Sequence, residues 1–507
     1  MAPALEHAPH HLDDGEHADV VVVGSGVAGL AAALEAARAD ASVMVIEAER
    51  ALGGASAISG GGCCIVDTPA QRDQGIVDSV DLALADWAAV SDGLADLQLA
   101  ERYLRESGAA VWDYLSELDL HWQPTVRRYP DNSVPRWHRP DGGGGAVVTA
   151  LQRAADSLGV RWKLGLRVER LDARAGGFVV HARRGDGGVD MVTSDAVVMA
   201  TGGFSNDPAM LDAVLAEAGR PVIPSLCGGG PDAFGDGHRL LARLGSQLVN
   251  MDNLWYYPVG VPNYRAPASR RGLVVRGIVD DLWFSLDGRR FHDETDRGGR
   301  AGALALAAQP GATCWAIQSP EVVRGALLLD DGYFGTTEHT IPSRREEFLQ
   351  RSPSVVFADD LGRLCALTGL PERMVGEELA RLRALVADGL DRDPLTGRPL
   401  AGVTGLEGPF AAVRYELIVQ KTFGGVRTDG AGRVVGRDGA VQERLFACGE
   451  LAGMAGGRLN GAGAIEGTMF GPCLWSGQLA GRAAARVART STASSGRERP
   501  TSDRRQP

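Results

Sequence analysis

The sequence predicts an α/β fold in which a parallel-sheet domain, assembled from both ends of the chain, is interrupted by an inserted α+β domain. An apolar run over residues 19–23 ends in a glycine-rich turn, an alanine-rich helical pattern follows, and residues 43–47 have the pattern of a second strand. A further apolar run, residues 195–200, ends in another glycine pair. Residues 445–450 repeat strand and glycine near the C-terminus, so both ends are expected to share one sheet.

The first glycine turn has the spacing of a dinucleotide cradle. Gly24 allows a tight turn, Gly26 lets the backbone approach a pyrophosphate, and Gly29 lets the helix pack closely on the strand. Glu47 closes the second strand, where it can bind a ribose hydroxyl. Because strand, helix, second strand and acidic residue fall in register, the pattern predicts a Rossmann-type nucleotide-binding domain.

The segment after Glu47 distinguishes between dinucleotides. Residues 48–62 are small, with several glycines and serines, and can form a shelf for a bulky flat ring system. Simple nicotinamide dehydrogenases continue instead into another strand and helix. We therefore predict FAD and a Rossmann-type FAD-binding domain. The residues expected to contact the cofactor are Gly24, Gly26, Val27, Ala28, Gly29, Glu47, Ala48, Gly54, Ala55, Ser56, Ser59, Gly60, Gly61, Val168, Ala200, Thr201, Gly202, Gly449, Glu450, Gly463, Ala464 and Ile465.

Composition limits the classes of function. The 507 residues are 44% apolar, enough for a large core and two domains, and the formal net charge of −12 argues against a nucleic-acid or anionic-membrane partner. Seven cysteines without metal or haem spacing indicate reduced thiols. No apolar stretch has the length of a membrane helix, and the first residues lack the pattern of a signal peptide. We therefore expect a soluble, cytoplasmic protein.

The domain boundaries follow from shifts in composition. Residues 1–17 and 489–507 are polar and without periodicity, which is typical of disordered tails. Residues 251–404 lack glycine turns of the cradle type and carry tryptophan, tyrosine, arginine and proline instead. We predict that this segment is a capping domain over the flavin, and that residues 18–250 and 405–488 form the FAD-binding domain.

Seven short motifs, in order along the chain, resemble one known group of flavoproteins. They are residues 24–47, Gly53-Gly54-x-Ser56, residues 200–203, Gly235-Asp236-Gly237, Arg290-Phe291-x-x-Glu294, residues 422–426 and Phe446-x-x-Gly449-Glu450. This set resembles the soluble fumarate reductase and succinate dehydrogenase flavoprotein superfamily, which includes the ketosteroid dehydrogenases. The resemblance implies hydride transfer between flavin and one carbon of a C–C bond, with a side chain moving a proton at the neighbouring carbon.

The resemblance also implies candidate catalytic residues. Arg297 follows the Arg290 to Glu294 motif and is the counterpart of the proton-delivering arginine of fumarate reductases, one residue closer to the motif. Arg276 resembles an upstream arginine of the proton relay. Ala57 stands where membrane succinate dehydrogenases carry the flavin-linked histidine, so noncovalent FAD is expected.

Three positions depart from the fumarate reductase pattern. Tyr257 and Gln420 stand in place of two substrate histidines, with Lys421 beside the latter, and Arg458 is displaced by one residue from the family's arginine. A small dicarboxylate would lose charge-assisted hydrogen bonds here, each worth roughly 1.5–3 kcal/mol. The departures therefore favour a larger and less charged substrate.

A bulky ketone fits the remaining residues. The cap offers aromatic surface from Trp255, Tyr256, Tyr257, Trp283, Phe284 and Trp315. The resemblance implies that Gly463 matches a glycine whose amide polarises the substrate ketone in ketosteroid dehydrogenases, where a tyrosine abstracts the proton. Tyr257, Tyr333 and Tyr415 are the candidates, and Lys421 is a candidate base if desolvated. An arginine donor favours reduction and a tyrosine or lysine base favours desaturation, so the direction stays open.

Together these observations predict an FAD-dependent enzyme that introduces or reduces a C–C double bond beside a carbonyl of a bulky, steroid-like or polyketide-like substrate. The first alternative is a fumarate-reductase-like enoate reductase with a carboxylate substrate, which is favoured if Arg276, Arg297 and Arg458 converge. The second is a flavin-carrying electron-transfer subunit. Electrons must be exchanged with a quinone, oxygen, a free reduced flavin or a separate carrier, because no second nucleotide fold or haem site is visible.

Overall fold

A computed structural model describes residues 15–129, 131–230, 232–296, 299–329, 334–336 and 339–495. Within these ranges the chain forms two large mixed layers, each built on an eight-stranded sheet. The first sheet is largely parallel, as predicted for the nucleotide-binding domain, and the second is almost entirely antiparallel. Among the described helices, none combines the length and apolar character that crossing a bilayer requires.

The first sheet joins strands from both ends of the chain. His17–Val23 lies at its centre, between Val43–Glu47 and Val189–Met199, and Val441–Ala447 adds to the far side of the latter, all in parallel. These strands are apolar on both faces because helices cover both sides of a parallel sheet. The remaining strands of this sheet are Arg161–Leu164, Leu166–Arg174, Gly177–Arg184 and Arg433–Val435.

The C-terminal helix, Phe470–Ser495, closes this layer by packing on the first helix, Val27–Arg38. Two glycines permit the close approach, since a Cβ at Gly477 would lie 2.2 Å from Ala28 O and one at Gly481 would lie 2.2 Å from Ala32 O. The helix extends beyond residue 489, where the sequence predicted a tail. The other helices flanking the first layer are Gly54–Ile58, Pro69–Asp73, Val80–Val90, Leu97–Ser107, the π-helix Gly108–Asp113, Tyr114–Ser116, Gly143–Ser157, Pro208–Glu217 and Asp236–Arg243.

The second sheet is formed mainly, but not only, by the predicted capping segment. Its long strand Phe410–Thr422 lies beyond residue 404 and pairs with Leu254–Pro262 and Thr313–Gln318, while Leu226–Cys227 joins from before residue 251. Its other strands are Gly272–Arg276, Leu282–Phe284, Leu327–Leu329 and Val355–Ala358. The long strand therefore links the two layers directly, and the proposed domain boundaries stay a prediction.

Short elements complete the described chain. Its three two-stranded ladders are Leu248–Val249 with Gly425–Val426, Cys63–Cys64 with Trp137–His138, and Phe334–Thr336 with His339–Thr340. The helices packed on the second sheet or following it are Gly299–Ala307, the 3₁₀ turn Pro310–Ala312, Pro320–Arg324, Pro342–Arg351, Leu361–Thr368 and Glu372–Ala387. The predicted α/β fold class with an added α+β layer is confirmed.

Candidate active site

A groove runs across the carboxyl ends of the parallel strands, where α/β sheets bind their ligands. It encloses about 1020 Å³ of space, a figure that includes open solvent at its mouth. Its lining contains these predicted contact residues: Gly24, Gly26, Val27, Ala28, Glu47, Ala48, Gly54, Ala55, Ser56, Val168, Ala200, Thr201, Gly202, Gly449 and Glu450. The structure thus brings together residues from five separate stretches of sequence.

The glycines at the head of the groove allow backbone to approach backbone. Gly24 has φ +99°, and a Cβ there would lie 2.4 Å from Ala200 O. A Cβ at Gly29 would lie 2.0 Å from Gly24 O. The first and third glycines of the motif therefore hold the strand–helix–strand core together. Gly26 differs, because a Cβ there would meet only Ser56 Oγ, at 3.5 Å.

Polar groups at the head of the groove fit the phosphates of a dinucleotide. The helix Val27–Arg38 begins at Gly26 without a side-chain cap, so its first amides have no partner within the helix. Val27 N donates to Ser56 Oγ at 3.0 Å. Thr201 Oγ1 is buried in the lining and has no hydrogen-bond partner in the described part of the chain. A cradle of amides and one unsatisfied hydroxyl is what an anionic cofactor requires.

The carboxylate of Glu47 is held in place by the first glycine turn and by the loop that follows Glu47. Its Oε2 accepts hydrogen bonds from Ser25 N (2.8 Å) and Ser25 Oγ (2.6 Å), and its Oε1 accepts one from Glu49 N (3.0 Å). A carboxylate offers about four acceptor positions, so one remains for a ribose hydroxyl. Ser25, which the sequence argument passed over between two glycines, thereby fixes the carboxylate at the groove.

Seven predicted contact residues lie beyond the lining of the groove: Gly29, Ser59, Gly60, Gly61, Gly463, Ala464 and Ile465. Ser59 O accepts a hydrogen bond from Gly144 N (3.0 Å), which places that stretch against the start of the helix Gly143–Ser157. A Cβ at Gly463 would lie 2.7 Å from Val90 O, at the end of another helix. Contact between these residues and the cofactor stays a prediction.

Sequence reasoning missed the acidic mouth of the groove. Asp232 and Glu49 share a hydrogen bond there, and Arg167 lies near both and pairs with Asp236. Burial, followed by the Glu49 hydrogen bond and charge, raises the pKa of Asp232 to about 6. Only Asp236 stood in a motif, and the cluster as a whole has no local pattern because its members come from three separate segments of the chain.

Glu450 connects the groove to the second sheet. Its Oε1 accepts hydrogen bonds from Thr422 N (2.9 Å) and Thr422 Oγ1 (3.1 Å), at the end of the long strand Phe410–Thr422. Burial raises the pKa of Glu450, although Thr422 and the charge of Lys421 act to lower it. Lys421 precedes Thr422 in this strand and therefore lies just beyond the groove.

Four predicted catalytic residues meet at this point, in what we call the tyrosine cluster: Tyr257, Arg276, Gln420 and Lys421. Arg276 Cζ lies 4.6 Å and Lys421 Nζ 5.4 Å from the centre of the Tyr257 ring, both within cation–π range. Lys421 Nζ also lies 3.4 Å from Gln420 Oε1. The pairing of the two central strands shifts between Trp255 and Tyr256, and such bulges re-aim side chains near functional sites.

Lys421 is a cation in this cluster. Burial acts to lower the pKa of Lys421, but its electrostatic interactions with Tyr257, Glu466 and Glu450 outweigh burial, so the pKa of Lys421 is raised. A lysine that serves as a base needs a lowered pKa. The role of Lys421 as the proton-abstracting base stays a prediction, and the raised pKa favours an ammonium group that stabilises negative charge.

Two residues beside the tyrosine cluster were missed from the sequence. Tyr257 OH donates a hydrogen bond to Glu466 Oε1 at 3.1 Å, across 209 positions of chain. Tyr129 lies near the same carboxylate, since burial and then the charge of Glu466 raise the pKa of Tyr129. Glu466 follows the glycine-rich run that was quoted for the cofactor, which is the only signal that could have pointed to it.

Arg297 lies outside the described residues, but the motif before it is well defined. Arg290 donates to Glu294 through Nε (2.9 Å) and a terminal nitrogen (2.6 Å), and Arg398 donates to the same carboxylate at 2.9 Å. Asp393 accepts from Arg290 at 2.6 Å. All four side chains are buried. The motif therefore anchors the segment that leads to residue 297, and the role of Arg297 itself stays a prediction.

The remaining predicted residues lie elsewhere. Arg458 is exposed, and its carbonyl accepts a hydrogen bond from Asp96 N (2.9 Å); whether it converges with Arg276 stays a prediction. Tyr333 is outside the described residues, and Tyr415 is buried against Trp283.

Not all of the aromatic residues predicted in the cap offer surface to a substrate. Phe284 and Trp315 pack in a core with Leu364 and Leu379, because the helices Leu361–Thr368 and Glu372–Ala387 cover that side of the sheet. Trp283 is fully buried, and its Nε1 bonds Asp281 at 3.2 Å. Trp255, by contrast, packs beside Tyr257 with 5.9 Å between ring centres.

Comparisons with known proteins agree with this site. A family described as an FAD binding domain matches residues 19–465. A KsdD-like steroid dehydrogenase of Mycobacterium tuberculosis is 28% identical, with 93% of this chain and 96% of the relative aligned. A fumarate reductase (cytochrome) of Shewanella frigidimarina is 29% identical, with 96% of this chain and 79% of the relative aligned.

The fold is shared with solved structures. A 3-ketosteroid-delta4-(5alpha)-dehydrogenase from Rhodococcus jostii RHA1 superposes with a TM-score of 0.69 at 24% identity, covering 94% of this chain and 99% of that chain. The predictions of the superfamily and of FAD as cofactor are confirmed, since the family match spans most of the chain. The chain belongs to the FAD binding domain family.

Proposed function

We propose that this protein is an FAD-dependent oxidoreductase that introduces or reduces a C–C double bond next to the carbonyl group of a bulky substrate. The observation that supports this most directly is the tyrosine cluster. It brings a phenol and two cations together at Lys421. The next residue, Thr422, donates a hydrogen bond to the groove-lining Glu450. Similarity to steroid dehydrogenases and fumarate reductases over more than nine-tenths of the chain supports the same class of reaction.

We assign binding of the cofactor to the groove. The first amides of the helix after Gly26, with Thr201 Oγ1, would bind the pyrophosphate, and Glu47 would bind a ribose hydroxyl. Ala57 offers no nucleophile for a covalent link, so FAD should be released intact when the protein is denatured. When bound, FAD supplies hydride transfer, in which the hydride carries both electrons of the substrate C–H bond.

The tyrosine cluster would carry the proton chemistry. Tyr257 has the only hydroxyl in the group of four predicted residues and can exchange a proton with the carbon beside the carbonyl. Lys421 and Arg276 are cations on its ring and would stabilise the enolate-like charge that develops on the carbonyl oxygen. The side chains thus supply both a proton-transfer group and stabilisation of an oxyanion.

The substrate class follows from the positive groups that are present and those that are displaced. A small dicarboxylate needs cationic clamps at both ends, but Gln420 is neutral and Arg458 is exposed. The second candidate is a reductase of an unsaturated monocarboxylate, which Lys421 and Arg276 could bind through one carboxylate. A quinone, oxygen or a free reduced flavin would exchange electrons with the enzyme from outside.

The test uses the flavin as its own reporter. The purified holoenzyme is photoreduced without oxygen and mixed with enones, unsaturated monocarboxylates or dicarboxylates, and in a second series the oxidised enzyme is mixed with saturated ketones. We expect reoxidation by bulky enones, or flavin reduction by bulky ketones, and no response to fumarate. Reaction with the dicarboxylates alone would refute the proposal, and reaction with the monocarboxylates alone would favour the second candidate.

A further inference from the structure

A carboxylate lies beside the phenol of the tyrosine cluster. Tyr257 is buried and donates a hydrogen bond to Glu466 Oε1 at 3.1 Å. Glu466 is half-buried, in the turn that precedes the C-terminal helix, and its charge also acts on Lys421 and Tyr129. The charged and titratable groups that surround this pair are Arg276, Lys421, Tyr129, Arg127 and Glu450.

Packing alone does not call for a carboxylate at this position. A buried phenol needs one hydrogen-bond partner, and a neutral amide or a backbone carbonyl would suffice. A carboxylate adds a charge whose burial is unfavourable unless it is balanced. Arg276 and Lys421 supply that balance from the ring of Tyr257. A proton can therefore move between phenol and carboxylate while the total charge of the cluster is unchanged.

We propose that Tyr257 and Glu466 form a two-residue proton relay for the substrate carbon next to the carbonyl. This inference rests on the proposed function. Tyr257 exchanges the proton with carbon, Glu466 holds the proton that the phenol gives up, and Lys421 with Arg276 stabilises the negative charge that develops meanwhile. Glu466 acts through Tyr257 and does not itself touch the reacting carbon.

The relay balances in both directions. In desaturation the C–H bond beside the carbonyl breaks, its proton forms a new O–H bond with Tyr257, and the former phenol proton passes to Glu466 Oε1. The electron pair becomes the C=C bond as hydride, with two electrons, leaves the neighbouring carbon for the oxidised FAD. In reduction each of these transfers is reversed. The final base is then a carboxylate, which other enzymes also use for protons beside a ketone.

The test compares Glu466→Gln, Glu466→Asp and Tyr257→Phe with the unmodified holoenzyme. Stopped-flow absorbance follows the flavin during reaction with the most reactive ketone or enone, across a range of pH. We expect Glu466→Gln and Tyr257→Phe each to slow the reaction about 10²- to 10⁴-fold, and the double variant to be no slower than the slower single variant. Glu466→Gln should also lose the limb of the pH profile that Glu466 sets, which is the acidic limb in oxidation of a ketone and the basic limb in reduction of an enone, whereas Glu466→Asp keeps that limb at a reduced rate.

An infrared difference spectrum gives a readout other than rate. Oxidation of a ketone should produce the band of a protonated carboxyl group in the unmodified enzyme and not in Glu466→Gln. Glu443→Gln, at an exposed carboxylate paired with Arg433, is the matched control and should leave rate, profile and band unaltered. Flavin absorbance and thermal unfolding establish that each variant is folded and loaded.

The outcomes separate the relay from the function on which it rests. A Glu466→Gln enzyme with the rate and the same limb of the pH profile as the unmodified enzyme would overturn the relay and leave the proposed function standing. Should Glu466→Gln fail to fold, a Glu466→Asp enzyme without that limb would overturn the relay equally. An unmodified enzyme whose flavin reacts with no ketone and no enone would overturn the proposed function, and the relay with it.

Discussion

Replacing Gly26 with alanine should separate cofactor binding from folding. Gly26 has φ −60°, which any residue adopts, and a Cβ there meets only Ser56 Oγ at an ordinary 3.5 Å. The new methyl group would stand in the groove, where we propose that the pyrophosphate lies. Loss of one or two charge-assisted hydrogen bonds, about 3 kcal/mol in total, would raise the Kd for FAD roughly 150-fold. The free energy of unfolding of the apoprotein should change by less than about 1 kcal/mol, since loss of the glycine N-cap and reduced chain entropy offset each other.

Titration of apoprotein with FAD, followed by flavin fluorescence, measures the first quantity, and thermal unfolding without FAD measures the second. Gly24→Ala is the matched control. Its φ of +99° and the 2.4 Å approach to Ala200 O predict loss of folding stability even without cofactor. If Gly26→Ala binds FAD as tightly as the unmodified protein, the groove has been assigned wrongly. If it unfolds as readily as Gly24→Ala, the distinction drawn between the two glycines fails.

Four other predictions test the surroundings of the site. Glu294→Gln leaves two buried arginines without their shared carboxylate and should lower the free energy of unfolding by about 3–5 kcal/mol; an unchanged thermal midpoint would contradict the anchoring role. Burial and then Glu49 raise the pKa of Asp232 to about 6 from 3.8, so the native state binds the extra proton and stability falls as pH rises between those values. Asp232→Asn should abolish this slope, worth about 1 kcal/mol after solvent screening, in apoprotein unfolding curves. Lys421→Met should slow turnover about 10²-fold with an unaltered flavin spectrum, because it removes a cation from the oxyanion site. Arg458→Ala should leave kcat/KM unchanged, and a large loss would mean that this exposed side chain moves into the site.

The predictable part of the site is the part encoded locally. Gly29 is required by a contact within one strand–helix–strand unit and Gly24 by the positive φ of its turn, so the spacing of three glycines and Glu47 was sufficient to place the groove. The four residues of the tyrosine cluster were found through motif positions, without knowledge of the pairing that brings them together. The pairing of Leu254–Pro262 with Phe410–Thr422 joins segments more than a hundred residues apart.

What the sequence could not predict depends on such long-range contacts. Glu466 is 209 positions from Tyr257, and Asp393 is 103 positions from Arg290. No pattern in the neighbouring sequence marks either carboxylate, because its role depends only on the hydroxyl or cation that faces it in the fold. The cap aromatics failed for the opposite reason. Phe284 and Trp315 suited a binding surface by type, but helices further along the chain cover that side of the sheet.

The charge of the tyrosine cluster limits what it can bind. Lys421 has a raised pKa and Arg276 is a permanent cation, and the carboxylate of Glu466 lies beside them. Among the groups in direct contact with Tyr257, two cations therefore face one carboxylate, which leaves an excess of one positive charge. A dicarboxylate would bring two negative charges into this space and leave at least one of them uncompensated at low dielectric. One positive charge matches instead the single oxyanion that forms when a proton leaves the carbon beside a ketone, which is why a neutral ketone suits this site better than fumarate.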